Sequence, residues 1–261
     1  MCVWLVCLIL LVVGLGFNQA NGYDKSANEI LSNGLGRLNR QQMVGGFYIL
    51  EIGVVGCSVL ANVPQLAVSA LYLLYNDLIT RMYLCKEWTE FARHRRGLRV
   101  QHPTGEQRRA YLLTIPWIAA SPLCILMIAL HWLISQSIFF SHYIGQDYAT
   151  GGATPNYWGP TVLGVGWSPL GLVLSLVVGG LLILGLWVMA LIRSFPDGIP
   201  LVRTCSAAIS AACHPGEWGA GEAEKPVQYG SMPGVFAPDG RPRASFSSGV
   251  VMPLTPGVVY G

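Results

Sequence analysis

Seven cysteines, five histidines and a few polar side chains set in apolar surroundings are the residues of this 261-residue chain that could do chemistry. Cys205, Cys213 and His214 sit close together in TCSAAISAACHP (204–215) and invite a metal reading. A zinc site of this kind wants thiolates in CxxC-type pairs, and these two are eight apart, diverging by about 80° around a helix. The same thiols suit S-acylation beside a membrane or plain small-residue packing. No metal and no cofactor is therefore expected. GxSxG, a Walker loop, HExxH and a dinucleotide fingerprint are all missing, and the carboxylates are scattered among basic residues, so a non-enzymatic role is expected.

A second chemical possibility lies in a polar stripe. At ~100° per residue, Glu51, Ser58, Asn62, Gln65 and Ser69 fall within about 40° of one helical line. His131 lies in a later apolar stretch, near Cys124 and Ser135. Such a stripe lines a solute or ion path, or it serves as interhelical glue, with Asn and Gln bonding to neighbouring helices. Both readings stand. The third possibility is electrostatic: Arg93, Arg95, Arg96 and Arg99 follow Trp88 and Phe91 closely. Each basic residue near an anionic leaflet contributes about 1 kcal/mol, so the cluster is a candidate lipid contact as well as a topology signal. Nucleic acid is a poor partner for a loop tethered to membrane at both ends.

The elements that position these residues follow from composition. The chain is 52% hydrophobic and 11% charged, with a mean hydropathy of +0.48. Soluble domains carry about 25% charged residues, so a soluble globule is excluded, as is disorder. Four stretches approach the ~20 apolar residues that a bilayer core requires: 2–17, 44–75, 111–140 and 163–192. The expected fold is an all-α polytopic transmembrane bundle of about four spans, filling 1–193. A Gly/Pro/Ser-rich cytosolic tail occupies 194–261. In that tail 227–229 and 244–247 form a short β-hairpin or stay irregular. Small residues four apart, Gly53/Cys57/Ala61 and Gly171/Ser175/Gly179, mark close helix packing within the chain or between copies.

Orientation comes from the basic residues. Segment 76–110 holds eight Lys and Arg against four Asp and Glu, and the rest of the chain holds eight against nine. The positive-inside bias places 76–110 and both termini in the cytosol.

The runs ANVPQLAVSALYLLYNDLIT (61–80), EWTEFARHRRGLRVQHPTGEQRRAYLL (87–113), LHWLISQSIFF (130–140) and CSAAISAACHP (205–215), in that order, resemble an uncharacterised family of fungal multi-span membrane proteins, a domain of unknown function. The resemblance matches the C-terminal half of longer members, which implies that this chain is a truncated form or a fragmentary gene model. It brings a fold and a location but no activity. The resulting expectation is an integral membrane scaffold or sensor, at the plasma membrane or another secretory-pathway membrane. Its partners would be anionic inner-leaflet lipid, other membrane helices or a second copy. The alternative is a component of a transporter or channel.

Overall fold

A computed structural model describes residues 8, 34–36, 43–44, 53–111, 115–144, 161–192, 194–196, 198–200, 202, 204–213 and 221–261. The chain divides into two compact units. One comprises Met1–Leu74 and Pro122–Met189, and the other comprises Tyr75–Ser121 and Ala190–Gly261.

Three helices are long and apolar enough to cross a membrane: α1 (Gly53–Arg93), α2 (Trp117–Ser137) and α3 (Pro169–Ile192). The expected span 2–17 lies outside the described residues apart from Leu8. α1 has 41 residues and runs through Pro64 without interruption. At ~1.5 Å per residue it is about 60 Å long, twice a ~30 Å bilayer core, so it continues well beyond the expected boundary at Tyr75. Leucine and alanine are frequent along it and no glycine occurs between Gly56 and Arg93, a composition that favours helix. Cys57, Ala61, Val68, Tyr75 and Ile79 are buried and lie within about 40° of one line.

The expectation of an all-α fold is overturned. Three small sheets accompany four α-helices among the described residues. In the first unit, β1 (Met43–Val44), β4 (Ile138–Ile144) and β5 (Thr161–Trp167) form an antiparallel sheet in the order β1-β5-β4. β4 follows α2 directly and β5 leads into α3. The sequences IFFSHYI and TVLGVGW are rich in β-branched and aromatic residues that suit a pleated surface. Residues 138–140 and 163–167 were expected to be helical span, because a short apolar run has the same hydropathy in a strand as in a helix. Pairing decides between them: Phe139 stands opposite Gly166, and a Cβ on Gly166 would come within 2.5 Å of the Phe139 ring. The ring thus covers the glycine, as aromatic residues do when they pin strand register. The sheet gathers the segment before α1, the end of α2 and the start of α3 at one end of this unit.

The second unit contains the last turns of α1, the parallel pair β2 (Arg99–Val100) and β3 (Arg108–Arg109), α4 (Ser206–Cys213), a 3-10 turn at Glu222–Glu224, and the antiparallel hairpin of β6 (Gln228–Phe236) and β7 (Pro242–Ser247). Of the two alternatives for the tail, the structure takes the hairpin, with Gln228 opposite Ser247 and Tyr229 opposite Phe246. Ala237-Pro238-Asp239-Gly240 turns the chain. Gly240 adopts φ +80°, Ala237 N–H donates to Arg241 O at 2.9 Å, and Gly240 N–H donates to Ala237 O at 2.9 Å. Proline presets φ and glycine takes the left-handed position, the usual chemistry of such a turn.

The hairpin packs on α1 through rings. Phe246 lies 4.8 Å from Trp88, 5.4 Å from Phe91 and 5.2 Å from Tyr229 between centroids. Phe91, Val227, Tyr229, Ala244 and Ala212 form the buried centre of this cluster. Backbone bonds complete the join between loop and tail. Arg96 and Val227 exchange a pair at 3.0 Å, and Glu106 N–H donates to Glu224 O at 2.9 Å.

Candidate functional site

The basic residues after α1 belong to a built network. Glu87 and Glu90 stand one turn apart on α1, a spacing that puts their Cβ atoms about 5–6 Å apart on one face. Glu87 Oε1 accepts from Arg99 Nε at 2.7 Å and lies 3.5 Å from Arg108 Nη2. Glu90 pairs with Lys86 at 3.6 Å and with Arg96. Arg99 and Arg108 are held opposite one another by the β2–β3 register. Like charges placed so are unfavourable, and Glu87 between them offsets the repulsion. Arg99 stacks over the Tyr111 ring at 4.1 Å, while Arg108 Nε donates to Gly97 O at 2.9 Å. Burial, and next the neighbouring Arg99 charge, lower the Arg108 pKa, and Glu87 opposes the shift. Arg108 Nη2 is buried and makes no hydrogen bond, which fits two guanidinium groups competing for one carboxylate.

The four arginines of the expected lipid-facing cluster thus differ. Arg96 and Arg99 are tied to α1 carboxylates. Arg95 donates through both terminal nitrogens to the carbonyls of Ser248 and Gly249, so it fastens the loop to the tail. Arg93 is exposed and has no ion pair with a described residue. The Ser248 hydroxyl donates to Glu222. That bond and the Lys225 ammonium at 3.0 Å hold the Glu222 carboxyl below its ordinary pKa.

Glu51 lies outside the described residues. Within the rest of the polar stripe, Asn62 Nδ2 donates to Ser58 O at 2.8 Å and Ser69 Oγ to Gln65 O at 3.1 Å, each inside its own helix. Gln65 is half-buried and His131 is exposed. Of the two small-residue motifs, Gly171/Ser175 makes a close approach. A Cβ on Gly171 would sit 2.8 Å from Ser137 Oγ and 3.0 Å from Ser137 Cα, and the Ser137 and Ser175 hydroxyls are 3.2 Å apart. Gly179 is half-buried. In the first motif Cys57 and Ala61 are buried, but Gly53 adopts φ +65° with nothing near its absent Cβ, so it serves the chain's entry into α1.

Cys205 and Cys213 are exposed and form no disulfide. The part of the Cys213 thiol that is covered raises its pKa through desolvation, which lowers its thiolate fraction. Among the described residues, no group of three or more His, Cys, Asp and Glu could hold a metal ion. Glu87, Glu90, Lys86 and Arg108 were not singled out as a site in the sequence. The available signal was the i, i+3 spacing of Glu87 and Glu90 ahead of RHRR; the pairing of Arg108 back to Glu87 spans 21 positions and carries no local signature.

A family model described as a domain of unknown function (DUF8419) matches residues 1–244. No curated protein and no solved structure matches the chain.

Proposed function

The chain belongs to the family described as a domain of unknown function (DUF8419), and from that premise we propose that it is a multi-pass integral membrane scaffold or sensor without enzymatic activity. Its fungal character, its place in the plasma membrane or another secretory-pathway membrane, and its cytosolic termini are part of this reading. The segment 76–110 and the tail act together as one cytosolic module that meets anionic inner-leaflet lipid or a cytosolic partner. One observation carries the reading. The segment with the chain's whole positive excess is folded onto the tail by an aromatic cluster and paired backbone, in a chain that also has three helices apolar enough to span. A disordered topology signal would need no such support.

A transport role needs a wet path along Ser58, Asn62, Gln65 and Ser69. Asn62 and Ser69 direct their donors to their own helix instead, so the scaffold reading is preferred.

The test is reconstitution of the full chain into sealed vesicles of phosphatidylcholine, with and without phosphatidylserine. Trypsin cleavage after the exposed Arg93 and Arg109 should slow when phosphatidylserine is present and recover at high salt. Equal cleavage rates in both vesicles would remove lipid contact from the proposal. Separately, Cys205 and a cysteine replacing Arg93 should react with an impermeant thiol reagent from the same face. Labelling from opposite faces would sink the single-module reading.

A further inference from the structure

We infer that the network of Lys86, Glu87, Glu90, Arg96, Arg99 and Arg108 is a binding site for a phosphate monoester dianion. The inference rests on the membrane-facing reading above and gives that module a specific ligand chemistry. Four cations share two carboxylates, Lys86 and Arg96 on Glu90 and Arg99 and Arg108 on Glu87, so the network carries two surplus positive charges. Arg96 belongs to the same field as Arg108, since its charge helps to lower the Arg108 pKa. None of the six side chains is sealed away. Their side-chain exposures run from 24% for Arg99 to 45% for Lys86, so an anion meets the network from its open side without unfolding the loop, although Arg108 Nη2 itself is buried.

The charge count selects the ligand. A phosphate monoester carries about −1.5 to −2 near neutral pH, which matches the two surplus charges. Phosphatidylserine has a net charge near −1 and its phosphate is a diester. Guanidinium groups also bind phosphate oxygens through paired N–H donors. Arg99 and Arg108 are already aligned by the β2–β3 register and oriented by Tyr111 and Gly97, so little side-chain freedom is lost on binding. A phosphatidic acid headgroup and a soluble sugar or glycerol phosphate share this chemistry.

The experiment uses the full chain in neutral phosphatidylcholine nanodiscs, titrated by calorimetry with three probes. These are short-chain phosphatidic acid, short-chain phosphatidylserine and glycerophosphate. Phosphatidic acid should bind about tenfold or more tightly than phosphatidylserine, as charge-assisted bonds to a second phosphate charge imply. Lys86 is the most exposed member and its partner is 3.6 Å away, so Lys86→Glu should keep the fold, checked by an unchanged melting temperature, and abolish the preference. Arg99→Lys keeps the charge but loses the fork, and should reduce it. Arg241→Gln, an exposed arginine paired with Asp239 outside the network, should leave it intact. Glycerophosphate binding as tightly as phosphatidic acid would identify a soluble monoester as the ligand, and much weaker binding would identify the lipid. Equal affinity for both lipids, or a preference that survives both network variants, overturns the inference. If the lipids bind equally but a further variant, Arg93→Gln, weakens binding of both, the membrane-docking reading stands and this inference alone falls. Binding to neither lipid overturns the membrane-docking reading, and binding to none of the three probes overturns both.

Discussion

Replacing Phe246 with alanine should release the tail from the basic loop while leaving the spanning helices intact. Phe246 touches three rings at centroid distances of 4.8, 5.4 and 5.2 Å. A buried Phe→Ala change costs about 3–5 kcal/mol. Phe246 is half-buried, so the lower end, about 3 kcal/mol, is appropriate. Leucine at the same place keeps much of the apolar area but loses three ring pairs. Those pairs are worth about 0.5–1.5 kcal/mol each when buried, so with partial exposure Phe246→Leu should cost about 1–2 kcal/mol. The assay is native-state hydrogen exchange on the full chain in nanodiscs, followed at the Arg96 and Glu106 amides. These donate across the join to Val227 and Glu224. A loss of about 3 kcal/mol lowers their protection by roughly two powers of ten, and the leucine variant by about one. Amides in the middle of α3 should not change. If Phe246→Ala leaves Arg96 and Glu106 protected, the aromatic cluster does not hold loop to tail, and the argument for a single module fails.

Gly171→Ala should destabilise the packing of α2 against α3 by about 1–3 kcal/mol, the usual range for overpacking, because the new methyl meets Ser137; thermal unfolding in nanodiscs measures it. Gly53→Ala meets no neighbour and should cost only the left-handed backbone penalty of about 1–2 kcal/mol, whereas a Gly171→Ala loss well below about 1 kcal/mol would contradict the packing assignment. Ser175→Ala should cost no more than about 0.6 kcal/mol, the typical worth of a hydrogen bond between membrane helices, because the Ser175 and Ser137 hydroxyls already donate to Gly171 O and Leu133 O in their own helices; the same melts read it. The Glu222 pKa is depressed in the folded state, so its contribution is present above the ordinary glutamate pKa of 4.5 and is lost as pH falls through the lower folded value. The tail should accordingly loosen on the acid side of that window, and Glu222→Gln should flatten the acid limb. Burial raises the Tyr229 pKa, so its contribution is complete below pH 10.0 and disappears as pH climbs through the higher folded value. Amide exchange at Ser231, which is bridged to Met252, reports this alkaline loosening, and Tyr229→Phe should abolish it.

Much of this architecture is legible in the residues. Length and hydropathy place the three described helices that are long and apolar enough to cross a membrane, because such a crossing takes about 20 apolar residues. Loop 76–110 stands out by charge alone. The hairpin was visible as one of two alternatives, since alternation in 227–229 and 244–247 suits a strand only if a partner exists. Gly171 and Ser175 announced close packing through their spacing, and Ser137 proved to be what they pack against.

Other features had no local signal. Ile138–Phe140 and Leu163–Trp167 have the hydropathy of a span end, and only their mutual pairing makes them strands. Asn62 and Ser69 lie on a polar line, yet whether they bond to a neighbour or to their own helix is settled by backbone geometry. Arg93, Arg95, Arg96 and Arg99 look equivalent in the sequence. The fold separates them, since carboxylates one turn apart on α1 hold Arg96 and Arg99 while tail carbonyls hold Arg95. Apolar content, net charge and spacing are properties of a segment, so the sequence by itself determined the long apolar helices, the basic segment and the close-packing spacing at Gly171 and Ser175. Which cation meets which carboxylate, and which strand finds which partner, depend on contacts between residues far apart in the chain. Only the tertiary structure decided those, because a long-range contact forms when two surfaces fit and leaves no pattern in either segment alone.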